Sequence, residues 1–188
     1  MGGGGHETAN VIYYLTFTNN FDLIRSGPPD ASILSVLWSI AIEEQFYLVW
    51  PLLLFVVPVK KMWLPFLAVI AGSLFFRAYY DDLVLNDCHT FSCISDMAIG
   101  AFGAWAIIVS AKFKNRIESL SRLSIVFIYL SFVAIYLFRI DYLFSTYSIR
   151  IFERLIIAVI MILIILEQSF SQGSFFKMAK FKMVRYKL

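Results

Sequence analysis

Apolar residues along this chain fall in long unbroken blocks separated by short polar ones. The blocks run Leu37–Val59, Met62–Tyr79, Ile94–Ser110, Leu123–Phe138 and Ile149–Leu166. Each approaches or reaches the ~20 residues a helix needs to cross ~30 Å of hydrocarbon. The pattern therefore predicts an all-α fold, a polytopic transmembrane helical bundle of about five spans. The third block is short and rich in Ala and Gly, and the fourth carries Ser131 and tyrosines. Residues 9–36 are mixed, with the aromatic and polar "NVIYYLTFTNNF" followed by the breaker "RSGPPDAS". They read as a loop or interfacial segment. Residues 1–36 are thus an extracytoplasmic lead-in, and residues 37–188 are the membrane domain. No internal repeat and no soluble second domain are visible.

Composition agrees with the pattern. Of 188 residues 60% are hydrophobic and 15% charged, and mean hydropathy is +0.77. A soluble domain has about 45–50% apolar and about 25% charged residues. The net charge of +3 carries no nucleic-acid footprint, and no nucleic-acid partner is expected. Membrane lipid is. The opening "MGGGGHETAN" lacks the basic and apolar regions of a secretory signal.

Charge placement gives an orientation. Lys60, Lys61, Lys112, Lys114, Arg116, Arg122 and the cluster from Lys177 to Lys187 fall on one side of the alternating blocks. Glu7, Asp22, Asp30, Asp81, Asp82, Asp87 and Asp141 fall on the other. Cytoplasmic loops carry the excess of Lys and Arg, so the amino end is expected outside. That arrangement needs something upstream to translocate residues 1–36, and the basic end "SFFKMAKFKMVRYKL" is of the kind that precedes a further span. The chain reads as the middle of a longer protein.

Within the first block, "LWSIAIEEQFYLVWPLLLFVV" sets Glu43 beside Glu44. A carboxylate costs roughly 2.5–3.5 kcal/mol at the centre of a membrane helix by insertion scales. On a helix Ser39, Glu43, Tyr47 and Trp50 share one side, and Glu44 points about 100° away. Pro51 removes a backbone hydrogen bond and crowds the Tyr47 carbonyl, so a kink is expected there. A bent helix with a polar face in the outer third of the bilayer describes the wall of a cavity. An interfacial or snorkelling glutamate and the proton-relay helix of a transporter fit the same pattern.

The stretch resembles the signature of the acyltransferase-3 family of bacterial integral membrane O-acyltransferases, roughly W-S-[LIV]-x-[VIA]-E-E-Q-F-Y-[LI]-x-[WY]-P. Trp38, Ser39, Glu43, Glu44, Gln45, Phe46, Tyr47, Trp50 and Pro51 match it. The flanks are similar too: "YYLTFTNNF" to the family's F..N approach, and "CISDMAIGAFGAWAI" to its D-x-x-x-G-A segment at Asp96, Gly100 and Ala101. The resemblance covers residues 10–187. It implies an enzyme of the bacterial cytoplasmic (inner) membrane that moves an acyl group from acyl-CoA, with acetyl-CoA the expected donor. The acceptor is a hydroxyl of a cell-surface glycan or a similar molecule. No resident cofactor and no metal are implied. The family's first span, which carries a catalytic His, and its closing G-K-[IV]-[ST]-Y-G segment have no counterpart in the sequence. His6 lies in a glycine-rich stretch and His89 in a loop. Further helices of the same protein are therefore expected as partners.

Acyl transfer to an alcohol needs a base at the acceptor hydroxyl and donors for the developing oxyanion. The resemblance makes Glu43 and Glu44 the candidate catalytic pair. Glu43 would face the cavity, orienting the base or the acceptor, and Glu44 would pair with a basic residue on a neighbouring helix. Trp38, Ser39, Gln45, Tyr47 and Asp96 are the candidate substrate-binding residues. A non-catalytic membrane module or a transporter-like bundle is the alternative.

The remaining polar residues have blander readings. Asp96 opens the third block, where a helix dipole stabilises a carboxylate. Gly100 and Gly103 permit a close helix approach. Arg77 either snorkels or pairs with Glu43 or Glu44. Arg150 and Glu153 are spaced for a local ion pair. Cys88 and Cys93 flank His89, and an oxidising compartment permits a disulfide. One short loop supplies too few ligands for zinc.

Overall fold

The computed structural model describes residues 9–29, 32–138 and 147–175. His6, Glu7, Asp30, Arg139, Asp141 and the basic cluster from Lys177 to Lys187 lie outside the described residues. Those described are almost wholly helical, in ten α-helices, with no strand among them. The chain divides into two compact units, residues 1–98 and 99–188.

The first unit begins with three short helices, α1 (Val11–Leu15), α2 (Asn19–Ser26) and α3 (Ser32–Ser35), where the sequence suggested a loop or interfacial lead-in. Asn10 caps α1 by accepting from the Ile12 N–H at 3.1 Å. Gly27, at φ 85°, ends α2 in a backbone conformation that side chains disfavour. Then come α4 (Leu37–Val56), a 3₁₀ turn over Val59–Lys61, α5 (Trp63–Tyr79), α6 (Leu83–Cys88) and α7 (Thr90–Val109), whose first half belongs to this unit. The α4 helix runs for 20 residues with Pro51 inside it. It buries Ala41, Ile42 and Phe46. Phe46 stacks on Trp50 at 4.7 Å, and Trp50 meets Phe66 of α5 at 5.0 Å. Its other face is bare: Leu48 and Leu52 are each 67% exposed and Phe55 is 92% exposed.

The second unit holds the rest of α7 with α8 (Ala111–Glu118), α9 (Arg122–Phe138) and α10 (Tyr147–Phe170). Residues 112–122, expected as a loop, are mostly the α8 helix because Phe113, Ile117 and Leu120 form an apolar side. That side closes a small core with Ile107, Ile162 and Leu166. Gly103 is the close approach: a Cβ there would lie 2.5 Å from Cγ1 of Ile162. Gly100 meets nothing within 4 Å, so it does not serve the packing expected of it.

Among the described residues three stretches are long and apolar enough to cross a membrane: Ile33–Val56, Val59–Tyr79 and Leu83–Val109. The bent pair α8 and α9, at 89° to each other, makes a fourth if taken as one broken span. Among the described residues five are not reached. The α10 helix is long enough, but Arg150, Glu153, Arg154 and Glu167 bracket its apolar centre.

Candidate functional site

Gln45 organises the first unit. Its carboxamide N–H donates to the Phe17 carbonyl at 2.6 Å and to Oδ1 of Asn20 at 3.0 Å. Its Oε1 accepts from the Thr90 hydroxyl at 2.6 Å. Asn20 in turn donates to Oγ1 of Thr90 at 3.0 Å and to the Cys88 carbonyl at 3.2 Å. The three side chains close a ring in which each donates to the next. Every bond polarises its neighbours in the same sense. Phe17 stands at φ 52°, a left-handed conformation costing a bulky residue on the order of 1–3 kcal/mol. Its carbonyl is the one that meets Gln45. Asn20 is fully buried, so an unsatisfied ring would be expensive.

The ring fixes the rotation of α4 and thereby the two carboxylates before it. Glu43 is exposed and Glu44 half-buried, and among the described residues neither has a hydrogen-bond or ion-pair partner. Tyr47 shares the open face with Glu43, at 58% exposure. Trp38 is half-buried at the start of the helix. Ser39 spends its hydroxyl on the Val36 carbonyl at 3.1 Å. The Gln45 amide hydrogens are likewise committed within the protein.

Arg77 does not reach the glutamates. It is buried on α5 and donates to Oγ of Ser95 at 2.6 Å. Ser95 also donates to Oδ1 of Asp96 at 3.2 Å. Asp96 is correspondingly not at a helix start: α7 begins at Thr90, and the dipole effect fades beyond the first turn. Its setting is a polar seam between α5 and α7 in which Ser73, Arg77, Ser92 and Ser95 are all buried. Alongside runs an open apolar groove of about 700 Å³, lined by Val69, Gly72, Phe76, Tyr80, Phe91 and Ile94. Ser73 also lines it, and its buried hydroxyl has no partner among the described residues.

Cys88 and Cys93 are not joined in a disulfide, and both are buried. Cys93 donates to the Asp87 carbonyl at 3.0 Å. His89 sits in an aromatic cluster, 4.6 Å from Phe76 and 5.3 Å from Phe21. Its Nδ1 accepts from the Phe91 N–H at 3.2 Å. It works as a packed cap at the start of α7.

Sequence reasoning missed Asn20, Thr90 and Ser95 as organisers. The pair Asn19–Asn20 in an aromatic stretch was the available signal. In the second unit it missed Glu167, which is fully buried and accepts from the Tyr129 hydroxyl at 3.0 Å. Gln168 donates to the same hydroxyl at 3.0 Å.

No family model, no curated protein and no solved structure matches this chain.

Proposed function

We propose that the chain is part of a bacterial inner-membrane O-acyltransferase, with five spans and its amino end outside. The observation that carries the reading is the run from Trp38 to Pro51: it lies on one continuous apolar helix whose register a partly buried hydrogen-bond ring holds. That rigidity sets Glu43 on an open face, as a wall of a cavity completed by further helices of the same protein would require.

In the reaction the acceptor hydroxyl of a glycan attacks the thioester carbonyl of acyl-CoA, acetyl-CoA by preference. The new C–O bond forms as the C–S bond breaks. The hydroxyl proton passes to a base on one of the further helices, and coenzyme A leaves as its thiol after protonation. Glu43 orients that base or the acceptor hydroxyl. Glu44 pairs with a basic residue of a neighbouring helix, and Trp38, Ser39, Tyr47 and Asp96 line the substrate path. Gln45 acts through the helix it holds.

The test is acyl transfer from radiolabelled acetyl-CoA to cell-envelope polysaccharide by the full reading frame that contains this chain. The proposal expects transfer by the wild type and a loss of about 100-fold or more in Glu43→Gln, at equal membrane abundance. Substrate flux in liposomes without any dependence on acyl-CoA would instead establish the transporter alternative.

A further inference from the structure

The turn between the second half of α7 and α9 has a chemistry the acyl-transfer reading does not use. Ser110 caps α8, accepting from the Phe113 N–H at 3.2 Å. The helix lies at 89° to α9, across its beginning. Phe113 and Ile117 tuck the apolar side into the core with Ile107 and Leu166. Lys112, Lys114 and Arg116 stay exposed on the other side, and Arg122 is exposed one turn beyond. Glu118, which is 3.8 Å from Lys114, is the acid on this helix.

The surroundings of these cations are apolar and bare. Ile108 just before them is 79% exposed, and Leu123 just after them is 84% exposed. Phe127, one turn further along α9, is 71% exposed. Exposed hydrocarbon of this kind belongs against acyl chains. Cations within a turn of it are then held at the depth of the headgroups. A helix perpendicular to a span, docked by one face and basic on the other, lies in the interfacial plane.

We propose that α8 is an interfacial helix whose basic face binds the phosphates of anionic membrane lipids. The exposed residues on both flanks select the bilayer over a soluble acidic partner, because a soluble partner would have to cover the same apolar surface. The inference rests on the chain spanning a membrane, and it is independent of acyl transfer. Each Lys or Arg near an anionic leaflet contributes enough attraction for a several-fold gain in binding, and the gain is screened by salt.

The experiment takes the full chain in detergent and titrates it with phosphatidylglycerol or with phosphatidylcholine of the same acyl chains. Native mass spectrometry counts the lipids retained. The wild type should retain phosphatidylglycerol preferentially. The preference should fall by about tenfold or more in Lys112→Gln/Lys114→Gln/Arg116→Gln, and it should weaken as salt is raised. Glu118→Gln, which removes the acid and leaves the core untouched, should raise it. That variant keeps the test decisive if the triple variant fails to fold. Equal retention of both lipids by the wild type would overturn the proposal, as would a preference unchanged by both variants. Retention of neither lipid would overturn it together with the membrane reading.

Discussion

Asn20 is where a single side chain carries the most. Replacing it with Ala takes a partner from the Gln45 amide, the Thr90 hydroxyl and the Cys88 carbonyl together. An unsatisfied buried group costs about 1–3 kcal/mol, and the three share one ring, so a loss of about 3 kcal/mol is expected for Asn20→Ala. Thermal unfolding in detergent measures it. The double variant Asn20→Ala/Gln45→Ala should cost clearly less than the two single changes added together, because the ring is already open after the first. Additive costs would show that the three side chains do not act as a unit. Glu43 belongs to the opposite case. It has no partner among the described residues, so Glu43→Gln should leave the melting temperature nearly unchanged whatever it does to acyl transfer. The residues of "EEQFY" were legible in the sequence as a group, but their division of labour was not. A one-residue step along a helix turns a side chain by about 100°, and only the neighbours decide which residue meets a partner.

At the scale of elements, helix positions followed from the apolar blocks and helix ends did not. The third apolar block begins at Ile94, yet α7 begins at Thr90. Ser92 and Ser95 are accommodated by burial in the seam with α5, where Arg77 bonds Ser95. An apolar partner did the same for residues 111–118, which form a helix packed on the core of Ile107 and Leu166. Close packing of α7 on α10 makes a further prediction. A Cβ at Gly103 would meet the branched, inflexible part of Ile162. Gly103→Ala should therefore destabilise the protein by about 1–3 kcal/mol, the usual cost of overpacking. Ile162→Ala should restore most of that loss in the double variant, read from the same melting curves. A Gly100→Ala change, in open space, should cost little.

For the whole molecule, the proposed alternation places the 3₁₀ turn at Lys61 and the connection at Asp81 on opposite sides of the membrane. Both residues are exposed. With Cys88 and Cys93 replaced by Ser, Lys61→Cys should react with an impermeant maleimide only after the membrane is opened. Asp81→Cys should react in intact cells. The reverse labelling would invert the orientation, and labelling of both from outside would remove the span between them.

The sequence by itself determined the helical class and the approximate position of every long helix, because block hydrophobicity is a local property that survives without knowledge of neighbours. It also singled out the paired carboxylates, since charge inside an apolar run is conspicuous wherever the run goes. The tertiary structure decided what could not be local. It closed the ring of Asn20, Gln45 and Thr90 across 70 residues of chain, turned Arg77 toward Ser95 instead of the glutamates, and laid α8 across the start of α9. The first two outcomes depend on which buried polar group finds a partner and the third on which apolar side finds a core, and a partner distant in sequence leaves no periodic mark near the residue that needs it.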